Sequence, residues 1–222
     1  MSASASGGGE SRSRTTGRLA IEGQGGDNRI NLGQFPAGLN NVNGAVAVRG
    51  LGGQTTLTVN DSYSNNSRSY VLGDGVVQRT DKPAITYQDL YRLEFTAGQK
   101  IDQINILDNS ASTFTSVNTG GGSDVIKVAR THGQLNISAG EQSLVEIGNS
   151  TSSLDNIQGS IVVLPTLNNL MTLRLNDTAN TMPTQITVSG NNFLQLYDRK
   201  GAANIASGFG ATKYFEYLGG SG

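Results

Sequence analysis

The feature that most constrains this chain is a recurring run of three to six residues in which apolar and polar side chains alternate, closed by a polar break. Examples are Leu19-Ala20-Ile21, Ile30-Asn31-Leu32, Val46-Ala47-Val48, Leu57-Thr58-Val59, Leu93-Glu94-Phe95 and Ile104-Asn105-Ile106. The pattern continues at Val125–Val128, Leu135–Ile137, Val145–Ile147, Ile161–Val163, Leu173–Leu175, Ile186–Val188 and Leu194–Leu196. Successive side chains of an extended strand point to opposite faces, so each run offers two apolar groups on one side. Such a strand buries too little to stand alone, whereas many stacked in register share one core. Helical periodicity is nearly absent.

The halves of the chain also match each other. Leu39-Asn40-Asn41-Val42-Asn43-Gly44 parallels Leu154-Asp155-Asn156-Ile157-Gln158-Gly159, 115 residues on, and Ile30-Asn31-Leu32 parallels Val145-Glu146-Ile147 at the same offset. Thr56–Asp61 parallels Thr172–Asp177 at 116. The order is kept with a drift of one residue, which marks a duplicated unit of several strands. Residues 19–218 are therefore read as one repeat domain with halves at about 25–128 and 140–218. Residues 1–18 form a Gly/Ser/Arg leader carrying Arg12, Arg14 and Arg18, and 219–222 a linker-like tail. Pro165 and Pro183 have no counterpart in the first half, and Pro165 is expected to end its strand.

These patterns predict an all-β fold, a right-handed parallel β-helix (solenoid). The alternative is a β-sandwich, which would also give many short strands between turns. Breaks such as Gly25-Gly26-Asp27-Asn28 and Gly120-Gly121-Gly122-Ser123-Asp124 suit tight corners, and aromatic core anchors are few. Only 36% of residues are hydrophobic and 6% aromatic, which fits a thin core of Val, Ile and Leu. A net charge of −1 with scattered Lys and Arg argues against nucleic acid. No apolar run is long enough to span a membrane, Met1–Arg18 lacks the apolar stretch of a signal peptide, and the absence of Cys excludes disulfides.

The Leu-Asx-Asn-Ile-Gln-Gly turn, the strand ending Thr-Leu-x-Val-Asn-Asp and the segment Ile85-Thr86-Tyr87-Gln88-Asp89-Leu90-Tyr91-Arg92-Leu93 form a distinctive set. Together they resemble tandem repeats of very large predicted surface proteins of planctomycetes and related bacteria. The resemblance covers roughly Gly25 to Val128 and again Leu144 to Val188. It implies a parallel β-helical, non-catalytic segment, secreted or displayed at the cell surface. In the second half Asn204-Ile205-Ala206 stands in place of the Ile-Thr-Tyr element, a departure that marks a capping end or a partner-facing edge.

Candidate chemistry is sparse. Calcium is the sharpest hypothesis, because Gly-rich nonapeptides of the RTX type place carbonyls and an Asp at a corner. Gly23–Asn31 and Thr119–Lys127 approximate that pattern, with Asp27, Asn28 and Asp124 as candidate ligands. They lack the tandem neighbours that complete such a site, so the plain tight turn is the favoured reading of each. His132, the single histidine, sits in a turn with no Gly-x-Ser-x-Gly elbow to supply a nucleophile. A glycan-active β-helix needs an acid and a partner on neighbouring strands. Asn60-Asp61 and Asn176-Asp177 lie one repeat apart and read instead as corners bonding turn amides. Aligned Asn side chains would form a ladder along the stack. Leu90, Leu93 and Phe95 are expected in the core, with Tyr87 and Tyr91 at the surface as a carbohydrate platform. The expected role is a non-catalytic structural or adhesive segment, self-associating through its ends or with neighbouring repeats into fibres or a surface layer. The alternatives are a glycan-active enzyme and a calcium-stabilised binding module.

Overall fold

The computed structural model describes residues 17–34, 36–148, 153–165, 171–181, 186–190, 194–199, 204–208 and 212–220. Arg12, Arg14, Pro183, Ser221 and Gly222 lie outside the described residues. The first strands are β1 (Leu19–Gly23), β2 (Asn28–Leu32), β3 (Val46–Gly50), β4 (Thr55–Asn60), β5 (Ser69–Gly73), β6 (Val76–Arg79) and β7 (Ile85–Gln88). Next come β8 (Arg92–Thr96), β9 (Gln103–Ile106), β10 (Phe114–Asn118), β11 (Val125–Val128), β12 (Leu135–Ala139) and β13 (Leu144–Ile147). The last are β14 (Ile161–Pro165), β15 (Met171–Asp177), β16 (Ile186–Gly190), β17 (Leu194–Arg199), β18 (Ile205–Gly208) and β19 (Thr212–Gly219). A single 3-10 turn at Gly38–Asn41 is the only helical element among the described residues. The fold is all-β, and each alternating run falls within a strand, while β5, β6, β7, β10, β18 and β19 are strands that those runs did not mark. Pro165 closes β14 as expected, and β19 reaches Gly219.

Two sheets take up these strands, one of ten in the order β1-β3-β7-β6-β5-β9-β11-β13-β15-β19 and one of nine in the order β2-β4-β8-β10-β12-β14-β18-β17-β16. For most of its length the chain crosses from one sheet to the other after every strand, and each strand pairs in parallel with its neighbours in the same sheet. Leu57 thus lies between Ile30 and Leu93, and Ile126 between Ile104 and Val145. Parallel pairing on this scale departs from a β-sandwich, whose sheets pair antiparallel. Inward side chains from both sheets join one core of Val, Ile and Leu with few aromatics. Buried core positions contribute roughly 1.5–3 kcal/mol each against the cost of ordering the backbone.

Uniform stacking is broken twice. β5, β6 and β7 form an antiparallel meander inside the ten-stranded sheet, and β16, β17 and β18 form one at the end of the nine-stranded sheet. Asp74-Gly75 makes the first hairpin, with Gly75 at φ 76°, a left-handed backbone that glycine adopts without a Cβ clash. The meanders are counterparts: β3-β7-β6-β5 in one sheet repeats as β14-β18-β17-β16 in the other. The duplication therefore continues to the last strand, with β8 repeated as β19. Each copy makes an odd number of crossings, so the second copy is built in the opposite sheets. One meander widens one sheet and the second widens the other, and the strand counts stay within one.

Side-chain detail repeats with the topology. At Gly33 an added Cβ would meet the Asn60 carbonyl oxygen at 2.1 Å, and at Gly148 the Asn176 carbonyl oxygen at 2.2 Å. Gly44 lies on Gly17 as Gly159 lies on Gly133, at 1.8 and 1.9 Å by the same measure. By that correspondence β1 matches β12, so the repeated structure starts ahead of residue 140. We expect Gly44→Ala and Gly159→Ala to destabilise the protein by similar amounts, roughly 1–3 kcal/mol, because the backbone has to yield. Urea melts showing neither variant shifted would refute the close approach.

Two local expectations change. Tyr87 is core, only 4% exposed, because Ile85 and Tyr87 are the inward positions of β7, and its hydroxyl donates to the Gly73 carbonyl at 3.1 Å. Tyr91 is exposed and Leu90, Leu93 and Phe95 are buried, so the surface platform reduces to one tyrosine. The strand residues do not form an Asn ladder: Asn31 faces Thr58, Asn105 faces Val71 and Lys127, and Asn136 faces Ser116 and Val162.

Candidate functional site

Polar groups buried at the corners hold the strands in register. Asp61 directly follows β4 and is wholly buried. Its Oδ1 accepts the Leu39 amide at 2.7 Å, and its Oδ2 accepts the Tyr70 hydroxyl at 2.8 Å and Arg79 at 2.9 Å. Arg79 is itself 1% exposed and reaches on to Asn40 and Asp81. Burial and the neighbouring Asp61 charge push the Tyr70 hydroxyl far up, so it remains a proton donor. In the second copy Asp177 Oδ1 accepts the Leu154 amide at 3.0 Å, while Tyr217, in the place of Phe95, brings its hydroxyl to 3.4 Å from Oδ2. Asn60 and Asn176 accept the amides of Ser62 and Thr178. The Asn-Asp pairs are thus corners, as the sequence suggests. Asp61 follows β4 and Asp177 ends β15, strands of different sheets.

A second corner carries a ladder made of Asp and Ser. The Arg68 amide donates to Asp102 Oδ1 at 2.7 Å, the Asp102 amide to Asp124 Oδ1 at 2.8 Å, and the Asp124 amide to Ser143 Oγ at 3.0 Å. Each side chain thereby fixes the backbone of the neighbouring turn, ahead of β5, β9 and β11 in succession. Gly98 donates to Asp102 Oδ2. Burial pushes the Asp102 carboxyl up to about 6, against the lowering effect of the Arg68 and Gly98 amides. Burial also raises Asp124, with the Asp102 amide and the Thr119 hydroxyl opposing it. Sequence reasoning singled out Asp124 for a metal and passed over Asp102, whose setting between two strands has no signature in a window of residues.

This corner makes a pH prediction with a definite sign. A carboxyl raised in the folded state binds more protons there than in the unfolded chain between its ordinary value of 3.8 and about 6. Stability from this group is therefore full below that window and lost as pH rises through it. We expect the melting temperature to be higher at pH 5 than at pH 7.5, and the difference to shrink in Asp102→Asn. A melting temperature that falls steadily between pH 7.5 and 5 would contradict the assignment.

The candidate metal ligands belong to separate corners. Asp27 is exposed between β1 and β2, while the Asn28 amide group donates to the carbonyls of Gln24 at 2.6 Å and Gly26 at 3.1 Å, closing that turn. Asp124 is 1% exposed and precedes β11, with five strands of the same sheet between β1 and β11. The structure does not bring the three together, and the described residues contain no group of three or more His, Asp or Glu arranged to hold a metal. His132 is half-exposed, with Nδ1 2.9 Å from Asp108 Oδ1, a contact the sequence does not announce.

An open cavity of about 540 Å³ is lined by Ser67, Arg68, Ser69, Thr80, Asp81 and Gln103. It holds an acid and a base, but they bond each other: Arg68 lies 3.1 Å from Asp81, and Arg79 2.6 Å from it. Burial works to raise the Asp81 carboxyl, and the two arginines outweigh it and leave it below its ordinary value. Such a carboxylate is charged and occupied, the opposite of a general acid.

The remaining distinctive surface is the two ends of the sheets. Leu19 on β1, Leu32 on β2, and Phe215 and Tyr217 on β19 pack on the core but are only partly buried. Their interior counterparts Leu135, Ile147, Leu93 and Phe95 are each at most 1% exposed. Among the described residues, the hydrophobic side chains that pack on the core while only partly buried are Leu19, Leu32, Phe215 and Tyr217, on β1, β2 and β19. A search of protein-family models and a search of curated proteins each returned no match.

Proposed function

We propose that this chain is a non-catalytic structural or adhesive segment, a right-handed parallel β-solenoid belonging to a larger extracellular or cell-surface assembly and associating end to end. The resemblance to tandem repeats of large surface proteins supports the setting. The observation that carries the reading is the incompletely buried core at Leu19, Leu32, Phe215 and Tyr217, contrasted with the sealed counterparts inside. The buried aspartates Asp61, Asp102, Asp124 and Asp177 each accept a backbone amide at a corner, which supports a structural role for them over one in glycan cleavage. Sedimentation velocity over a wide concentration range, with negative-stain images of the same samples, tests this reading. Growth along one axis with concentration is expected, and a compact monomer at every concentration would overturn it.

A further inference from the structure

The open cavity beside the first meander has polar groups to spare. Ser67 stands just ahead of β5, Ser69 opens β5, Thr80 follows β6 and Gln103 opens β9. β5 pairs with both β6 and β9, which gathers these positions: Ser69 is aligned with Gln103, and the Thr80 amide donates to the Ser69 carbonyl at 2.9 Å. Three hydroxyls and a carboxamide thus line one cavity. Among the described residues, none of these four side chains has a hydrogen-bond partner.

Solvated hydroxyls alone would mean little, but these surround a fixed ion pair. Arg68 bonds Asp81, Asp81 bonds Arg79 and Arg79 bonds Asp61, so two acids and two bases cancel. An anion or a cation entering the cavity therefore meets no uncompensated opposite charge. Polar recognition is still on offer. Arg68 donates from Nε to Ser64 Oγ at 3.1 Å and from Nη1 to Asp81 at 3.1 Å, which holds the guanidinium in place and leaves Nη2 to donate elsewhere. A carboxylate such as Asp81 has acceptor positions beyond those its arginines fill. Ile101, 59% exposed, adds an apolar wall.

A ligand matched to this lining carries several groups that both donate and accept, has no net charge, and shows a patch of C–H to Ile101. Sugars combine all three. We propose that this cavity binds a neutral glycan, its hydroxyls bonded by Ser67, Ser69, Thr80 and Gln103 and oriented by the Arg68–Asp81 pair, with a ring face on Ile101. The volume of about 540 Å³ falls within the roughly 300–1,000 Å³ of small-molecule sites. This gives the adhesive, non-catalytic reading its ligand class and rests on that reading.

Titration of the intact chain with neutral oligosaccharides of glucose, galactose, mannose and N-acetylglucosamine tests the site. Binding of at least one is expected. Gln103→Ala and Thr80→Val should each weaken it about three- to tenfold, the loss of one ordinary hydrogen bond. Both side chains lack internal partners, so the melting temperature should not move. Tyr91→Ala, at an exposed aromatic outside the cavity, should leave the affinity unchanged. Three results would overturn the proposal: no binding, binding confined to sulfated or sialylated glycans, or binding that Tyr91→Ala removes and the cavity variants keep. Each would leave the structural reading to the sedimentation experiment. Chromatography showing a shortened oligosaccharide after incubation would instead overturn the non-catalytic reading beneath it.

Discussion

Val59→Asp is expected to abolish cooperative unfolding of the chain at room temperature. Val59 is completely buried on β4, between Leu32 and Phe95 in the neighbouring strands. Truncating its apolar contribution costs about 1.5–3 kcal/mol. Leaving an unpaired carboxylate in the core costs several kcal/mol more. The sum approaches the whole stability of a typical domain, about 5–15 kcal/mol. The damage spreads, because each strand depends on the two beside it for its buried face. Thr56→Asp is the control: the same strand and the same charge, but an outward position beside Arg29 and Arg92. It should change stability by no more than about 0.5 kcal/mol. Circular dichroism with urea decides the matter, and a Val59→Asp shift worth less than about 1 kcal/mol would contradict the buried row.

Arg79→Met carries the second large effect. Arg79 and Asp61 are 1% and 0% exposed at the side chain, 2.9 Å apart. Removing the guanidinium strands a buried carboxylate that retains only the Leu39 amide and the Tyr70 hydroxyl. Breaking one side of such a pair typically costs about 3–5 kcal/mol. Adding Asp61→Asn to Arg79→Met should recover part of that loss, because the charge is gone while an amide oxygen can still accept the Leu39 N–H. If the double variant were less stable than Arg79→Met, or if Arg79→Met cost less than about 1 kcal/mol, the pair would not have the role described.

Much of the fold was legible because alternation reports directly on burial. Leu57, Val59, Ile104, Ile106, Ile126 and Val128 occupy the inward positions that period two assigns them. The duplication was legible too, since corners such as Leu39–Gly44 and Asn60-Asp61 impose residue types that survive copying. The meanders were not read, although Asp74-Gly75 between two alternating runs is a hairpin signal. Tyr87 was misplaced because a tyrosine that finds a carbonyl for its hydroxyl, here that of Gly73, packs inside as readily as a phenylalanine. The Asp102–Asp124–Ser143 ladder had no sequence signal, since its members meet only through the register of different strands. Asn28 illustrates the converse, a motif position whose side chain closes its own turn.

The central claim is that successive alternating strands pile up in parallel rather than fold back on each other. The most direct measurement is a set of proton NOEs on isotope-labelled protein around Val125–Val128. The structure predicts amide-to-α-proton contacts from this strand to both Gln103–Ile106 and Leu144–Ile147, with Lys127 placed between Asn105 and Glu146. Close pairs of α-protons between these strands, the mark of antiparallel neighbours, would contradict it.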